Sequence, residues 1–171
     1  PDVDLRIDHA YPGAAGEIQV KGPNVFKGYW GLKEKTADAF TTDGYFRTGD
    51  LGEIDADGYV TIVGRSKDLI ISGGLNIYPK EIETVIDAQP EVDESAVIGL
   101  PDPDFGERVI AIVVETTKGA VDPVALKNVL AQSLAKYKLP KEIVTIDNLP
   151  RNSMGKVMKK DLRDLISQKR F

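Results

Sequence analysis

An α+β fold in two pieces is what this sequence predicts: a β-rich stretch over residues 1–64 and a compact α+β domain over 65–171. Two Asp-Gly turns, Asp43-Gly44 and Asp57-Gly58, punctuate the first stretch, each followed by a short strand-like run, as in β-hairpins. After Gly64-Arg65 the texture changes, and apolar runs of strand length interleave with segments of helical period, the pattern of an α+β domain. Hydrophobic residues make up 42% and charged residues 29% of 171 positions, which is the composition of a folded chain. The length suffices for one ordinary core, or for a small domain and part of another.

Taken in order, residues 17–20 predict a strand, and residues 32–40 a short helix with Leu32, Thr36 and Phe40 four apart on one side. Strands follow at 45–47 and 59–63. Residues 68–71 form a short apolar strand running into a flexible Ser72-Gly73-Gly74 turn. Pro79 suits the first position of a helix in which Ile82, Val85 and Ile86 share a face. Residues 94–100 and 108–115 are strands. Asp122-Pro123 is an N-cap followed by a first-turn proline, opening a helix whose inward positions run Leu126, Val129, Leu130, Ser133, Leu134 and Tyr137. A strand at 143–146 and a last helix at 157–167, with Leu162, Leu165 and Ile166 inward, complete the domain.

Composition excludes several classes of function. There is no cysteine, so disulfide scaffolds, thiol nucleophiles and thiolate metal sites are out. The single histidine, His9, has no partners at triad or metal-ligand spacing, and no metal site is expected. A net charge of −5 argues against a nucleic-acid partner. No apolar run approaches the roughly 20 residues of a membrane span, so no membrane partner is expected and a cytoplasmic location is the default. The opening residues read as the middle of a longer chain.

Three segments carry chemistry. In GYFRTGD (44–50) a strand delivers Asp50 into a turn, where its carboxylate can accept two hydrogen bonds from a ribose diol or bond its own backbone. In GRSKDLIISGGLNIYP (64–79), Arg65 offers a fork of donors suited to phosphate or ribose oxygens, and Gly73-Gly74 allows close approach of a ligand to the backbone. The alternative is an interdomain turn beside a surface arginine, for the segment is neither a Walker loop nor GxGxxG. In PRNSMGKVMKK (150–160), Lys156 follows Gly155 in a loop just before the last helix. There it is either an exposed lysine or a cation that stabilises charge on phosphate and carboxylate oxygens. Around it Arg151, Lys159, Lys160, Arg163, Lys169 and Arg170 make a basic tail that reads as a solvated helix face.

Together with GEIQVKGPNVFKGYW (16–30), these segments stand in the order of consecutive signature motifs of the adenylate-forming superfamily, which the chain resembles over nearly its whole length. That superfamily includes acyl-CoA synthetases, peptide-synthetase adenylation domains and beetle luciferases. Within it the tail is most similar to malonyl-CoA synthetases of the bacterial type.

The resemblance implies that residues 1–64 end a large AMP-binding N-terminal domain. Residues 65–171 are then a mobile C-terminal lid with its hinge near Lys67. It implies a ligase that uses ATP and Mg²⁺ to convert a small carboxylic acid, malonate or a relative, into acyl-AMP and then transfers the acyl group to CoA. By the same resemblance Asp50 and Arg65 bind the nucleotide, and Lys156 is catalytic during adenylation. Gly73, Gly74, Phe105, Tyr137, Lys138 and Lys141 face CoA. Leu139 stands where some relatives have arginine, and Phe105 and Tyr137 also read as packing residues. Lys156 would be a target for a lysine acetyltransferase and a deacetylase. The phosphate loop, the adenine segment and the acyl pocket lie upstream in relatives, so the upstream N-terminal domain is an implied partner and the isolated chain is expected to be inactive. Two other readings remain open: a standalone CoA- or protein-binding module without catalysis, and an adenylation domain of a peptide synthetase.

Overall fold

The computed structural model describes residues 2–8 and 15–168; His9, Lys169 and Arg170 fall outside that range. The contacts separate two compact units, Pro1–Lys67 and Asp68–Phe171.

In the first unit, β1 (Asp4–Asp8), β2 (Gly16–Lys21), β3 (Phe46–Ile54) and β4 (Val60–Arg65) form one antiparallel sheet in chain order, with α1 (Lys33–Asp38) between β2 and β3. The pieces that the Asp-Gly turns mark as hairpins are therefore joined into a meander. Ile18 and Leu51 are buried. Gln19 is buried too, and its amide is satisfied from both sides. Arg6 Nε donates to Gln19 Oε1 at 2.8 Å, and Gln19 Nε2 donates to Asp8 Oδ2 at 3.0 Å. Arg6 spends its two remaining nitrogens on Asp43, at 2.6 and 3.1 Å. Those bonds, with one from Thr41, hold the Asp43 carboxyl well below the usual carboxylate range. Phe26 gathers Tyr29, Phe40 and Phe46 around it, with ring centroids 4.9, 5.9 and 5.2 Å away.

In the second unit, β5 (Ile70–Ser72), β6 (Leu75–Ile77), β7 (Val92–Asp102), β8 (Gly106–Glu115) and β9 (Glu142–Thr145) make a five-stranded sheet ordered β6-β5-β8-β7, with β9 parallel to β8. The long β7–β8 hairpin is apolar at successive positions because both of its faces are covered. Val97, Val109, Ala111 and Val113 pack with Ile82 and Ile86 of α2 (Pro79–Asp87) and Leu126 and Leu130 of α3 (Pro123–Ser133). Ala96, Ile98, Leu100, Ile110, Ile112 and Val114 pack with Leu162 and Ile166 of α4 (Lys159–Gln168). The result is three layers, with α2 and α3 on one face and α4 on the other. Asp122 caps α3 by accepting the Val124 N–H at 2.8 Å, and Pro123 takes the first turn. No helix among the described residues is long and apolar enough to cross a membrane.

Several local expectations shift. The strand expected over 68–71 starts later, because Ser66–Asp68 winds into a 3-10 turn. After Gly73-Gly74 the chain pairs straight back as β6, Ile70 opposite Ile77, a strand too short to leave a periodic signal. α3 stops at Ser133, and Tyr137 lies in a separate 3-10 turn, Lys136–Lys138, 45% exposed. It therefore does not extend the apolar face of α3. Leu165 is 38% exposed, so α4 turns inward only Leu162 and Ile166.

β7 is an outer strand, and its open edge is closed by side chains. Glu83 of α2 accepts the Val97 N–H at 2.9 Å. Lys159, the first residue of α4, donates to the Val97 carbonyl at 3.1 Å and pairs with Glu83 at 2.6 Å. Arg163 Nε reaches the Gly99 carbonyl at 3.3 Å. The basic tail is thus not simply a solvated face: two of its cations cap strand β7. The Glu83 and Lys159 side chains keep only 10% and 16% of their surface exposed, and removing one partner would leave the other charge buried without compensation. Glu83→Ala is therefore expected to destabilise the second unit by about 3–5 kcal/mol, read as a lower urea midpoint at unchanged slope.

Candidate functional site

Asp50 and Arg65 face each other directly. They are register partners in the β3–β4 ladder, and Arg65 Nε lies 2.7 Å from Asp50 Oδ1. The strand expected over 45–47 runs on through Asp50 to Ile54; what looks like a turn in the sequence is an irregular stretch inside β3. Gly49 has φ +71°, a conformation costly for any residue with a Cβ, and the register slips between Leu51 and Gly52. Thr48 fixes this stretch: its hydroxyl donates to the Ile18 carbonyl at 2.7 Å and accepts the Asp50 N–H at 3.0 Å. With side-chain exposures of 25% and 45%, Asp50 and Arg65 present an acceptor and a fork of donors side by side. Arg65 belongs to the first compact unit, as the last residue of β4. Lys67 ends that unit inside the 3-10 turn.

Within the second unit, four residues expected to face CoA come together. Gly73 and Gly74 have φ +58° and +78°, which is where glycine is favoured. The Gly73 N–H donates to the Phe105 carbonyl at 2.8 Å, and a Cβ at Gly73 would sit 3.3 Å from the Phe105 ring. Phe105 is 45% exposed, so it does not cap the core. Lys141 Nζ stands 4.2 Å from its ring centroid, an attractive cation–π arrangement. Together they form an exposed aromatic surface, flanked by backbone on one side and a cation on the other.

Tyr137 and Lys138 lie apart from that group in their bonding. Lys138 Nζ donates to both Glu81 oxygens, at 2.7 and 2.8 Å, and stands 5.6 Å from the Tyr137 ring centroid. This ammonium is already paired with a carboxylate, which distinguishes Lys138 from Lys141.

Lys156 sits on the loop between Leu149 and α4, and the backbone there is closed into a small hairpin. Arg151 bridges to Val157. Asn152 N donates to the Lys156 carbonyl at 2.9 Å, and Asn152 Oδ1 accepts the N–H groups of Met154 and Lys156 at 3.0 and 2.9 Å. Gly155 turns the chain at φ +76°. The Lys156 side chain is exposed, and its ammonium enters no ion pair among the described residues. Among those residues no group of three or more His, Asp or Glu side chains could hold a metal ion.

Sequence reasoning singles out the cations and misses the carboxylates that sort them: Glu81, Glu83 and Glu94. Glu83 had a signal, since it falls inside the buried stripe of α2 with Pro79, Ile82 and Ile86. A carboxylate at a core-facing helical position needs a partner.

The AMP-binding enzyme C-terminal domain family matches residues 81–156. An indoleacetate–CoA ligase of Aromatoleum aromaticum is 48% identical over 176 residues, covering 100% of this chain and 34% of that protein. The ATP-bound structure of MatB from Rhodopseudomonas palustris is similar at TM-score 0.88 and 52% identity, over 96% of this chain and 34% of that one. The apo structure of MatB gives 0.71 at 53% identity over the same shares. An o-succinylbenzoate CoA synthetase (MenE) from Bacillus subtilis, in complex with its acyl-adenylate intermediate, gives 0.89 at 37% identity over 95% of this chain and 34% of that one. This chain spans about a third of the length of the curated relatives it matches.

Lys138 yields a pH prediction. Burial works against its charge, but the hydrogen bond and charge of Glu81, with smaller contributions from Tyr137, outweigh that and raise it above the ordinary lysine value of 10.5. A group raised on folding contributes stability that is fully present below its unfolded value and lost as pH rises through its folded value. The difference in unfolding free energy between wild type and Glu81→Gln should therefore stay constant from neutral pH up to about pH 10 and shrink above it, followed by urea titration at a series of pH values.

Proposed function

This chain belongs to the adenylate-forming superfamily and carries its AMP-binding enzyme C-terminal domain, and from that premise we propose that it is the C-terminal part of an ATP-dependent acid–CoA ligase. The reaction runs in two steps. A carboxylate oxygen attacks the α-phosphorus of ATP and releases pyrophosphate, giving acyl-AMP. The CoA thiol then attacks the acyl carbon and releases AMP.

The observation that carries this reading is the state of Lys156: a fixed backbone under a long cation that enters no ion pair among the described residues. In the second unit Lys80, Lys138 and Lys159 pair with Asp87, Glu81 and Glu83; Lys156 is among the lysines with no ion pair among the described residues, and the loop that carries it is the one with a fixed backbone. In the first half-reaction negative charge shifts between carboxylate and phosphate oxygens. An ammonium placed against those oxygens stabilises the transition state more than the ground state. Asp50 accepts the ribose hydroxyls, as a charged acceptor makes the stronger bonds, and Arg65 both orients Asp50 and contacts the nucleotide. Gly73, Gly74, Phe105 and Lys141 serve CoA: the glycine backbone lies along the pantetheine arm, the ring stacks on adenine, and Lys141 meets a phosphate. Mg²⁺ enters with the ATP phosphates. Malonate is the acid we assign, from overall likeness to bacterial malonyl-CoA synthetases. Acetylation of Lys156 would remove its charge and switch the first half-reaction off.

We further propose that Lys67 is a hinge, used between the two half-reactions. Its place at the boundary of the compact units supports this.

In the full-length polypeptide, Lys156→Ala should slow acyl-adenylate formation by at least about 100-fold, measured as ATP–pyrophosphate exchange. Thioester formation from supplied acyl-AMP should change far less; equal loss in both steps would remove the proposed role. Lys67→Pro, which fixes φ, should impair one half-reaction selectively, and normal rates in both would place the hinge elsewhere.

A further inference from the structure

We infer that Arg151 is a positioning residue for Lys156, acting with Glu94; this rests on the role given to Lys156 above. Arg151 Nη1 donates to the Gly155 carbonyl at 2.6 Å, and Nη2 pairs with Glu94 on β7. The peptide carbonyl immediately before Lys156 is thereby tied, through one planar guanidinium, to the outer strand of the sheet that forms the middle layer. The hydrogen bonds of Asn152 to the Lys156 N–H and carbonyl complete the hold. Both backbone polar groups of Lys156 are thus bonded, and only its four-carbon stem is left free.

Glu94 is aimed at this loop by an irregularity in β7. Val92 packs with α2 and α3, whereas Ala96 packs on the α4 face, although an even spacing along a regular strand would place both on one face. The register shift between Val92 and Glu94 inverts the alternation, as an extra residue in one strand does. Glu94 consequently shares the face of Ala96, beneath the loop that leads into α4.

The pair is partly exposed, 43% on Arg151 and 30% on Glu94, and pairs of that kind add little to stability. What it supplies is geometry. Guanidinium spans two acceptors at a fixed spacing, which an ammonium cannot reproduce.

The test compares wild type, Arg151→Gln, Arg151→Lys, Glu94→Gln and Lys156→Ala in the full-length polypeptide. Exchange of ATP with pyrophosphate is followed with whichever of malonate, indoleacetate or o-succinylbenzoate wild type uses best. Arg151→Gln is expected to lower the turnover of adenylate formation by at least about tenfold, as a small displacement of a catalytic group does, with KM for ATP and acid little changed. Thioester formation from supplied acyl-AMP and the melting temperature should stay at wild-type values. Arg151→Lys should recover part of the loss, and Glu94→Gln should repeat it. Hydrogen–deuterium exchange, which needs no substrate, should quicken over residues 152–156 in Arg151→Gln and not over α4. Full adenylation by Arg151→Gln beside an inactive Lys156→Ala would overturn the positioning role and leave Lys156 in place. An active Lys156→Ala would instead overturn the reading of Lys156 and with it the role of Arg151 in catalysis. Parallel loss of both half-reactions with a lowered melting temperature would also overturn the inference, showing a merely structural arginine.

Discussion

The open edge of β7 is the constraint around which the second unit is arranged. An outer strand with two covered faces still leaves a row of backbone N–H and carbonyl groups on its free side, and those need partners. Here the partners are Glu83, Lys159 and Arg163. Glu83 belongs to α2 on one face of the sheet and Lys159 to α4 on the other. Their ion pair is a clasp that passes around the edge of the strand and joins the outer two layers. A buried pair is costly to desolvate, and this one offsets part of that cost by satisfying both polar groups of Val97.

The clasp also fixes where the candidate catalytic loop begins and ends. Lys159 opens α4 only three residues beyond Lys156, so anchoring Lys159 to β7 anchors the downstream end of the loop. Arg151 anchors the upstream end to Glu94 on the same strand. The loop is polar, tipped by glycine and exposed, yet it is not loosely held. This division suits a lysine that must be presented at a constant position while its ammonium stays available. Carboxylates divide the lysines of this domain: Lys80, Lys138 and Lys159 have partners of their own, and Lys156 has none in ion-pair reach among the described residues.

The first unit solves a different problem. Its sheet is thin, and it places polar chemistry on strands by using irregularities. Gly49 at positive φ and the slip after Leu51 let β3 continue while Asp50 stays aligned with Arg65. Holding a carboxylate and a guanidinium as register partners makes their spacing a property of the ladder and not of a flexible loop.

How much of this was legible beforehand follows from the range of the forces involved. The α+β class, most of the elements and the order of the motifs were readable, because alternation, helical period, Asp-Gly turns and a capping Asp122-Pro123 are local signals. The candidate residues Asp50, Arg65 and Lys156 were readable from short segments and from resemblance. The end of α3 before Tyr137, the short strand β6 and the exposure of Leu165 were not, because packing decided them.

The amino-acid sequence by itself therefore determined which cations and carboxylates this protein has and which elements carry them. Only the tertiary structure decided which cation meets which carboxylate: Lys138 with Glu81, Lys159 with Glu83, Arg151 with Glu94. The partners stand 57, 76 and 57 positions apart in the chain, and no local pattern records a pairing over such a distance. It arises when the sheet forms and brings remote edges together.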